Sequence, residues 1–530
     1  MAMDAQPLLA KLDQLNAIGV ALSREENIDH LLERILRSAM DLTHADAGTI
    51  YRVNGSDEDH RTLEFRILIN RTLDMELGGS KGGEIDLPDI PILDAEGKPN
   101  DHMVAAYAAA RQVTVNIADA QHAEGFDFSG TREFNRRTGY VSQSFLTVPL
   151  IDHHRETIGV LQLINALAPE TGAIRAFSKE EQSLAESLAS QAAIAYTKRR
   201  LMDQLAELFE SLVSLINTAI DEKSPYTSKQ CERVPALTMM IAEAVHGTET
   251  GPLAAFRMSD PDRYELRIAG LMHDCGKITT PVHVMDKATK LQTLFDRIHL
   301  LDARFEVLRR DAAIQRLERL TDSPEDWQSI DTEYRERLAE LDQDQSFLHR
   351  CNVGGEAMQA SDQEKVSRIA GYRWTDSKGV EQPFLSPDEE ACLRITRGTL
   401  TDAEREIINY HIVSTLHMLE ALPWPRHLRR VPEYAGGHHE RMDGKGYPKG
   451  LNGAQMSVQA RIMAIADIFE ALTASDRPYK EAKPLSECLA IMDRMAREGH
   501  IDPDIYAVFV GQGIHLSYAR EFLLPEQIDV

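Results

Sequence analysis

The sequence predicts an α+β domain followed by an all-α helical domain that carries a helical-hairpin insertion. Three observations predict this fold class. Strand-like runs alternate with helical patterns up to residue 177, the strand signal almost vanishes after residue 221, and a heptad-spaced helix lies between them. We expect an α+β domain at 1–177, a connecting helix at 178–220 and a helical domain at 221–530, which an insertion at 292–397 interrupts. A chain of 530 residues has room for several domains.

The composition excludes several classes of protein. With 58 Lys and Arg against 84 Asp and Glu, the net charge of −26 argues against a general nucleic-acid-binding surface. No apolar run approaches the length of a membrane span, and the first residues lack the pattern of a secretory signal. The five cysteines form no CxxC pair, as is typical of reduced thiols. We therefore expect a cytoplasmic protein with no nucleic-acid partner and no membrane span.

The first 177 residues alternate between helical and strand patterns. Apolar residues at helical spacing cover 31–42, and the strand-like runs that follow are 49–53, 63–69, 112–117, 145–151 and 157–164. The turn at 151–159 joins two of these runs as a β-hairpin does. The segments 78–101 and 118–135 are predicted to be loops above the sheet, where small ligands often bind.

The connecting helix has a clear start and a heptad seam. Ser178 with Glu181 three positions later is the reciprocal capping pair of a helix start. The seam residues step by 4, 3, 4, 3 and 4; they are Leu201, Leu205, Leu208, Leu212, Leu215 and Ala219. A mean period of 3.5 residues is that of a coiled coil. The pattern favours a parallel homodimer, and the alternative is a core helix packed within one chain.

The predicted insertion begins with a helical hairpin. Apolar residues at heptad spacing run from Leu291 to Ala312, and a second helix is marked by apolar residues from Trp327 to Leu341. The sequence Ser323-Pro324-Glu325-Asp326 predicts an N-cap, a proline in the first turn and acids near the positive end of that second helix. We expect the two helices to be antiparallel and the polar stretch 351–397 to be irregular.

Three anomalies in the helical domain predict a buried metal centre. His273-Asp274 lies on an apolar helix expected to end at Gly276, His438-His439 follows a glycine pair, and Asp467 is an acid inside an apolar helix. Charged groups in such surroundings are costly unless they are paired or bound to metal. By contrast, His153-His154 lies in a polar hairpin turn, and we expect it to face solvent.

The motifs HDCGK (273–277) and HHERMDGKGYP (438–448), with the Asp467 helix running to DRPYK (476–480), resemble the HD-GYP family. That family belongs to the metal-dependent HD phosphohydrolases and hydrolyses cyclic di-GMP. The match covers 210–295 and 395–525, and the family's third histidine reappears as His411 beyond the insertion. His299 is the rival for that position.

The resemblance implies a role for each matched residue. Asp274 bridges two cations, of which the first also takes His273 and Asp467. The second cation takes His411, His438 and His439. Lys277 offsets charge on the phosphoryl oxygens, Arg477 and Lys480 hold phosphates, and Tyr447 walls the nucleotide pocket. The two cations activate a water for in-line attack on phosphorus. Mixed histidine and carboxylate ligands suit iron or manganese, with zinc as the alternative.

One position departs from the family pattern. The stretch PYTSKQCERV (225–234) matches the family's opening motif, but Gln230 occupies the place of a metal-binding histidine. A neutral amide oxygen is a weaker ligand than an imidazole nitrogen for a transition metal. We infer one bound metal. Gln230 is either a benign variant, with water filling the gap, or a mark of an inactive effector that binds nucleotide or a partner protein.

Residues 17–197 resemble a GAF domain, carried by AGTIYRV, by 126–150 and by IGVLQLINA. The ligand pattern of the cyclic-nucleotide-binding phosphodiesterase GAF domains is not met, because Asn135-Arg136 stands where an acidic pair is expected. The domain is therefore either a small-molecule sensor or a dimerising module. In the first case, ligand binding would act on the catalytic domain through the helix seam.

Overall fold

The computed structural model describes residues 5–530 except 26, 56–60, 81, 95–96, 224–229, 356 and 476–481. The chain divides into two compact units, Met1–Phe209 and Glu210–Val530. Within the described residues, no helix combines the length and the apolar character needed to cross a bilayer. The five cysteines all lie in described parts of the chain, and each is a free thiol.

An antiparallel sheet is the centre of the first unit. Its described strands are β1 (Ala45–Asn54), β2 (Thr62–Asn70), β3 (Met75–Gly78), β4 (Ile90–Pro91), β5 (Val115–Ile117), β6 (Phe145–Ile151), β7 (Thr157–Leu167) and β8 (Ile174–Arg175). The spatial order is β3-β2-β1-β7-β6-β5, with β4 beside β2 and β8 beside β7. Each predicted strand-like run contributes to one of these strands, and β6 and β7 pair as the predicted hairpin.

Helices cover both faces of the sheet. The helices are α1 (Ala5–Ser23), α2 (Ile28–Thr43), α3 (Val104–Arg111), α4 (Ser129–Thr138) and α5 (Lys179–Lys223). One hydrophobic core joins α1, α2 and the first half of α5 to one face, because residues such as Leu36 and Leu188 meet Leu163 of β7. On the other face, Ala106 of α3 packs against Tyr51 and Leu63.

Helix α4 corrects one sequence prediction. The segment 118–135 was expected to be a loop, yet its last residues belong to α4. The helix is polar and buries none of its residues, so it carries no apolar period that could have marked it.

Helix α5 begins with the predicted capping pair and runs for 45 residues. Ser178 Oγ accepts from Glu181 N at 3.2 Å, and Glu181 Oε2 accepts from Ser178 N at 2.8 Å. The heptad leucines remain exposed in a single chain, with exposed fractions from 49% at Leu212 to 65% at Leu205. An exposed apolar stripe on a long helix is typical of an interaction surface.

The second unit is largely helical. Its helices are α6 (Gln230–His246), α7 (Asp260–Met272), α8 (Val282–Met285), α9 (Ile298–Asp322), α10 (Trp327–Asn352), α11 (Ala360–Ala370), α12 (Pro387–Leu393), α13 (Asp402–Glu420), α14 (Val431–Gly436), α15 (Val458–Thr473), α16 (Leu485–Arg497), α17 (Pro503–Gly511) and α18 (Ile514–Phe522). Helix α6 packs on α7 and α15, and α14 packs on α7, α13 and α15. These contacts bring distant parts of the sequence into one helical core.

The predicted hairpin is confirmed as α9 and α10. Ion pairs join Arg309, in the middle of α9, to Asp342 in the second half of α10, and Arg316, later in α9, to Asp331 near the start of α10, so the helices are antiparallel. A 3-10 turn at Pro324–Asp326 precedes α10, and Ser323 makes no side-chain cap. Ser323 is thus the N-cap residue of this 3-10 turn, with Pro324, Glu325 and Asp326 in its first turn as predicted, whereas α10 itself has Asp326 at its N-cap position.

The stretch after the hairpin is more regular than the sequence predicts. It contains α11, a two-stranded ribbon of β9 (Arg373–Thr375) and β10 (Glu381–Pro383), and α12. Val366, Phe384 and Leu393 are buried in the same hydrophobic core as Phe305 of α9. The expectation of irregular structure over 351–397 is therefore wrong. Few apolar residues of this stretch are buried, so the sequence shows no periodic pattern that would mark the helices and strands.

Candidate metal centre

Four helical segments deliver the predicted ligands to one place. His273 directly follows α7, Asp274 directly precedes a 3-10 helix at Cys275–Thr279, His411 lies on α13, and Asp467 lies on α15. His438 and His439 follow α14 directly. Helix α7 thus ends at Met272, before the predicted end at Gly276, and the turn that follows directs the Asp274 carboxylate inward.

A glycine allows the Asp274 turn to approach α13 closely. A Cβ on Gly276 would lie 2.0 Å from the carbonyl oxygen of His411 and 2.5 Å from the amide nitrogen of Thr415. The Gly276 amide donates to Thr415 Oγ1 at 2.9 Å. Because any larger residue would push the turn away, Gly276 sets the distance between Asp274 and His411.

Main-chain carbonyls fix the orientation of three imidazoles. The Nδ1 atom of His273 bonds to the carbonyl of Gly270 at 2.7 Å, and that of His438 bonds to Ala435 at 2.6 Å. His411 Nδ1 makes the same contact with the carbonyl three residues earlier. A partner on one ring nitrogen leaves Nε2 as the free ligand atom, as in metal-binding histidines. All three Nε2 atoms face Asp274.

The two oxygens of Asp274 serve different neighbours. Oδ1 lies 3.3 Å from His411 Nε2 and 4.0 Å from His438 Nε2, whereas Oδ2 lies 3.1 Å from His273 Nε2. His439 Nε2 lies 3.2 Å from His411 Nε2. Two groups in the described residues have ligand atoms close enough to hold a cation: His411 with His438 and His439, and His273 with Asp274 and His438.

Three buried atoms at this point have no hydrogen-bond partner. They are His273 Nε2, Asp274 Oδ1 and His438 Nε2. A buried polar atom left unpaired costs about 1–3 kcal/mol. A divalent cation would accept all three as ligands, so the residues present fit a metal.

The surroundings shift the pKa values of the histidines in opposite directions. Burial lowers the pKa of His438 to about 4 and holds that of His439 well below its usual range, so both rings are neutral and able to bind metal. For His273 burial acts in the same direction, but the carboxylates of Asp274 and Asp467 outweigh it and raise the pKa to about 10. Burial also opposes the charge on Asp274, but Lys277 and His273 outweigh it and keep the pKa of this carboxyl well below its usual range.

Gln230 is hydrogen-bonded within the site. Its Nε2 donates to Asp467 Oδ1 at 3.0 Å, and its Oε1 accepts from Lys277 Nζ at 3.0 Å. Lys277 Nζ also lies 2.6 Å from Asp274 Oδ2. Asp467 Oδ1 is 3.8 Å from His273 Nε2, and the compact group around His273 contains His438 in place of Asp467. The Gln230 amide therefore lies beside Asp467, at the position where the resemblance places the first cation.

The remaining predicted residues fall in three places. Tyr447 stacks on His439 with ring centroids 4.8 Å apart, at the edge of the centre. Arg477 and Lys480 lie outside the described residues. The rival ligand His299 has a side chain that is 76% exposed and faces Asp302 on the insertion, and His153-His154 is exposed as expected.

Sequence reasoning missed two supporting residues. The buried carboxylate of Glu440 accepts from the amides of Lys449 and Leu451 and so holds the loop that carries Tyr447. Lys223, the last residue of α5, donates to the carbonyls of Lys277, at 3.3 Å, and Ile278. Glu440 directly follows the two histidines, which is a usable signal, but nothing in the sequence marks Lys223.

Comparison with known proteins identifies the two domains. A GAF domain family model matches residues 27–196, and an HD domain family model matches residues 384–505. The chain carries a GAF domain and an HD domain. The HD match includes His411, His438, His439 and Asp467, while His273 and Asp274 precede it. The resemblances to both families are thereby confirmed over part of the chain.

The relatives that the chain matches over part of its length are phosphodiesterases. The 3'3'-cGAMP-specific phosphodiesterase 3 of Vibrio cholerae is 42% identical over 110 residues, which are 21% of this chain and 23% of the relative. A cyclic di-GMP phosphodiesterase of Thermotoga maritima is 35% identical over 160 residues, 28% of this chain and 42% of the relative. The chain thus spans less than half of the length of each.

The GAF region also has similar solved structures. The GAF domain of an Acinetobacter phosphoenolpyruvate-protein phosphotransferase is 17% identical, covering 37% of this chain and 98% of that one, with a TM-score of 0.24.

Proposed function

We propose that this chain is a metal-dependent phosphodiesterase that hydrolyses cyclic di-GMP or a related cyclic dinucleotide under the control of its GAF domain. The observation that carries the proposal is the convergence of His273, Asp274 and His438 on buried, unpaired ligand atoms. The HD domain family model spans His411, His438, His439 and Asp467, and the relatives that the chain matches over part of its length are phosphodiesterases.

In the proposed site, His411, His438 and His439 hold one divalent ion together with Asp274 Oδ1. Iron or manganese suits this ligand set. The ion supplies a more acidic water and neutralises charge on the phosphoryl group. The neutral state of His438 and His439, which follows from their lowered pKa values, leaves their ring nitrogens available as ligands.

The protein's own groups bind and orient the substrate. Lys277 Nζ lies 2.6 Å from Asp274 Oδ2, so its positive charge is placed beside the centre, where a phosphoryl oxygen would arrive. The ring of Tyr447 forms one wall for a nucleobase. Arg477 and Lys480 are proposed to hold the second phosphate.

A second candidate function is that of a catalytically weak effector that binds the nucleotide or a partner protein. Gln230 favours it, because its amide is bonded to Asp467 and Lys277 where the family places a ligand of the first cation. A single ion activates water less than a pair does.

The test compares metal content and turnover in the full-length protein. After anaerobic loading with iron or manganese, the wild type is assayed against cyclic di-GMP and 3'3'-cGAMP. His438→Ala should lose the metal and the activity, whereas His299→Ala, which removes an exposed histidine, should keep both. Equal metal and turnover in the two variants would refute the assignment. Metal binding and nucleotide binding without turnover would select the effector.

A further inference from the structure

A buried ion pair joins the segment just before the insertion to the helix just after it. Lys287 Nζ donates to both carboxylate oxygens of Glu404, the third residue of α13, at 2.8 Å each. The Lys287 side chain is 1% exposed, and the Glu404 side chain is 20% exposed. The two residues lie 117 positions apart in the sequence. The pair therefore closes the domain at the place where the chain leaves it for the insertion and returns.

The carboxylate of Glu404 also caps α13. Thr401 N donates to Glu404 Oε2 at 2.8 Å, and the Glu404 amide donates to Thr401 Oγ1 at 3.3 Å. Burial opposes the charge on Glu404, but Lys287 and this cap outweigh it and hold the pKa of the carboxyl below its usual value. A largely buried ion pair is costly to break from one side, because the remaining charge stays without a partner. The start of α13 is therefore held firmly against Lys287.

The same face of α13 carries the predicted metal ligand His411. Glu404 and His411 are seven positions apart, which is two turns or about 10 Å along a helix axis. One turn beyond His411, Thr415 accepts from the Gly276 amide and so attaches α13 to the turn that carries Asp274. His411 thus lies between two attachments of its helix. A change in either attachment moves its Nε2 relative to the Asp274 carboxylate.

The covalent chain between the turn after α7 and the start of α13 runs through the insertion. The hydrophobic core of the insertion includes Leu291 at one end and Leu393 at the other. Thr399 Oγ1 donates to the carbonyl of Lys287 at 2.9 Å, so the two ends of the insertion meet at the ion pair. The free energy of closing a long chain segment changes little with its length. Contacts at the two ends, and not the segment between them, therefore set their separation.

A second buried lysine has its partners inside the insertion. Lys290 Nζ donates to the carbonyl of Leu393 at 3.2 Å and to that of Ile395 at 2.7 Å. Burial lowers the pKa of this lysine. Lys290 is 3% exposed and Lys287 is 8% exposed, so the two residues are similarly buried. Lys287 contacts the helix of His411, whereas Lys290 contacts residues of the insertion.

We propose that Lys287 and Glu404 are positioning residues for the metal ligand His411, and that their ion pair takes the place of the short covalent connection that the insertion interrupts. The inference rests on the proposed metal centre and deepens it. Neither residue touches metal or substrate; the pair acts by holding α13. Groups that support a metal-binding histidine from outside the ligand set typically contribute 10–100-fold in metal affinity. Because this pair lies two turns from His411, we expect about tenfold.

Cobalt(II) is the probe for the test, because its visible absorption reports both binding and the ligand geometry. In anaerobic titrations of the full-length protein, Lys287→Met and Glu404→Gln should each weaken cobalt binding about tenfold. The double variant should bind no more weakly than either single one, because each change alone breaks the pair. Lys287→Arg, which keeps a cation, should recover part of the loss.

Lys290→Met is the matched control. It removes a similarly buried ammonium and should lower the urea midpoint of unfolding, which tryptophans 327 and 374 of the insertion report by fluorescence. Its cobalt affinity should stay within about twofold of the wild type, since its partners lie away from α13. If Lys287→Met does not fold, Glu404→Gln and Lys287→Arg still give the comparison with Lys290→Met.

Three results would overturn the positioning role: wild-type cobalt affinity in Glu404→Gln and Lys287→Met, an equal loss in Lys290→Met, or additive losses in the double variant. A wild type that binds no cobalt would overturn the proposed metal centre and this inference with it. Cobalt binding without turnover would select the effector in place of the enzyme, and the affinities of the variants would still decide the role of the ion pair.

Discussion

Gln230 Nε2 donates a hydrogen bond to Asp467 Oδ1 at 3.0 Å, across 237 positions of sequence. The same amide accepts from Lys277 Nζ at 3.0 Å. On this side of Asp274, Gln230 thereby joins Asp467 to Lys277, which lies beside Oδ2, whereas Oδ1 on the other side is left without a hydrogen bond and faces His411 and His438. The two sides of one carboxylate are therefore chemically unequal.

This inequality predicts the effect of restoring a histidine. Gln230→His exchanges a weak amide ligand for an imidazole, and we expect metal content to rise from about one ion per chain to about two. Turnover of the cyclic dinucleotide should rise with it. Elemental analysis of anaerobically loaded protein measures the first change. Gln230→Asn, which keeps an amide, should stay at one ion, and a wild type that already holds two would contradict the prediction.

The sequence predicted which side chains come together at the candidate centre better than it predicted the residues that surround them. His273, Asp274, His438 and Asp467 stand out because charge in an apolar helix is expensive wherever it occurs. The partners of Gln230 were not predictable, since they depend on how α6 packs against α15 and the turn after α7. Only tertiary contacts decide whether an amide faces a carboxylate or solvent.

Secondary structure was predictable where burial gives the apolar residues of the sequence a recognisable pattern. The strands β6 and β7 are almost wholly buried and read as apolar runs, and α9 with α10 carries a heptad pattern. Helix α4 buries nothing and α11 buries only Val366 and Ile369, so neither leaves a pattern in the sequence.

The hydrogen bonds of Lys223 predict that the end of the connecting helix α5 affects turnover at the candidate metal centre. Its ammonium donates to the carbonyls of Lys277 and Ile278, so the end of α5 anchors the turn that carries Lys277. Lys223→Met should lower kcat about tenfold, since a hydrogen bond from a charged group contributes about 1.5–3 kcal/mol, while metal content stays unchanged. Lys223→Arg should recover part of the loss, and Lys198→Met, at an exposed position on α5, should have no effect. Loss of metal in Lys223→Met would mean that the residue acts on folding instead.

The exposed leucines of α5 predict a parallel homodimer. Leu205 is 65% exposed in the single chain and lies on the heptad seam. In a parallel coiled coil, equivalent seam residues of the two chains face each other. Mild oxidation of Leu205→Cys should therefore give an inter-chain disulfide on a non-reducing gel. Ala206→Cys, one position off the seam, should crosslink poorly, and a similar yield from the two variants would argue against this dimer.

A buried ion pair predicts how the insertion responds to acid. Arg304 donates to both carboxylate oxygens of Glu389, at 2.7 and 3.1 Å, and the Glu389 side chain is 4% exposed. Burial opposes the charge on Glu389, but Arg304 and the cap at Ser386 outweigh it and hold the pKa of this carboxyl below its usual value. The unfolded chain therefore takes up the proton first as pH falls. The pair stabilises the fold fully above the unfolded pKa and loses this effect as pH falls through the folded pKa.

Glu389→Gln should thus lower the free energy of unfolding by about 1–3 kcal/mol at neutral pH. The difference from the wild type should shrink as pH falls below about 4. All three tryptophans lie at 327, 374 and 424, so tryptophan fluorescence during urea unfolding follows the second unit alone. Glu306→Gln, which breaks the exposed pair with Arg310, should change the midpoint little at any pH. If Glu389→Gln lowers the free energy of unfolding by the same amount at pH 4 and pH 7, its effect comes from packing and not from charge.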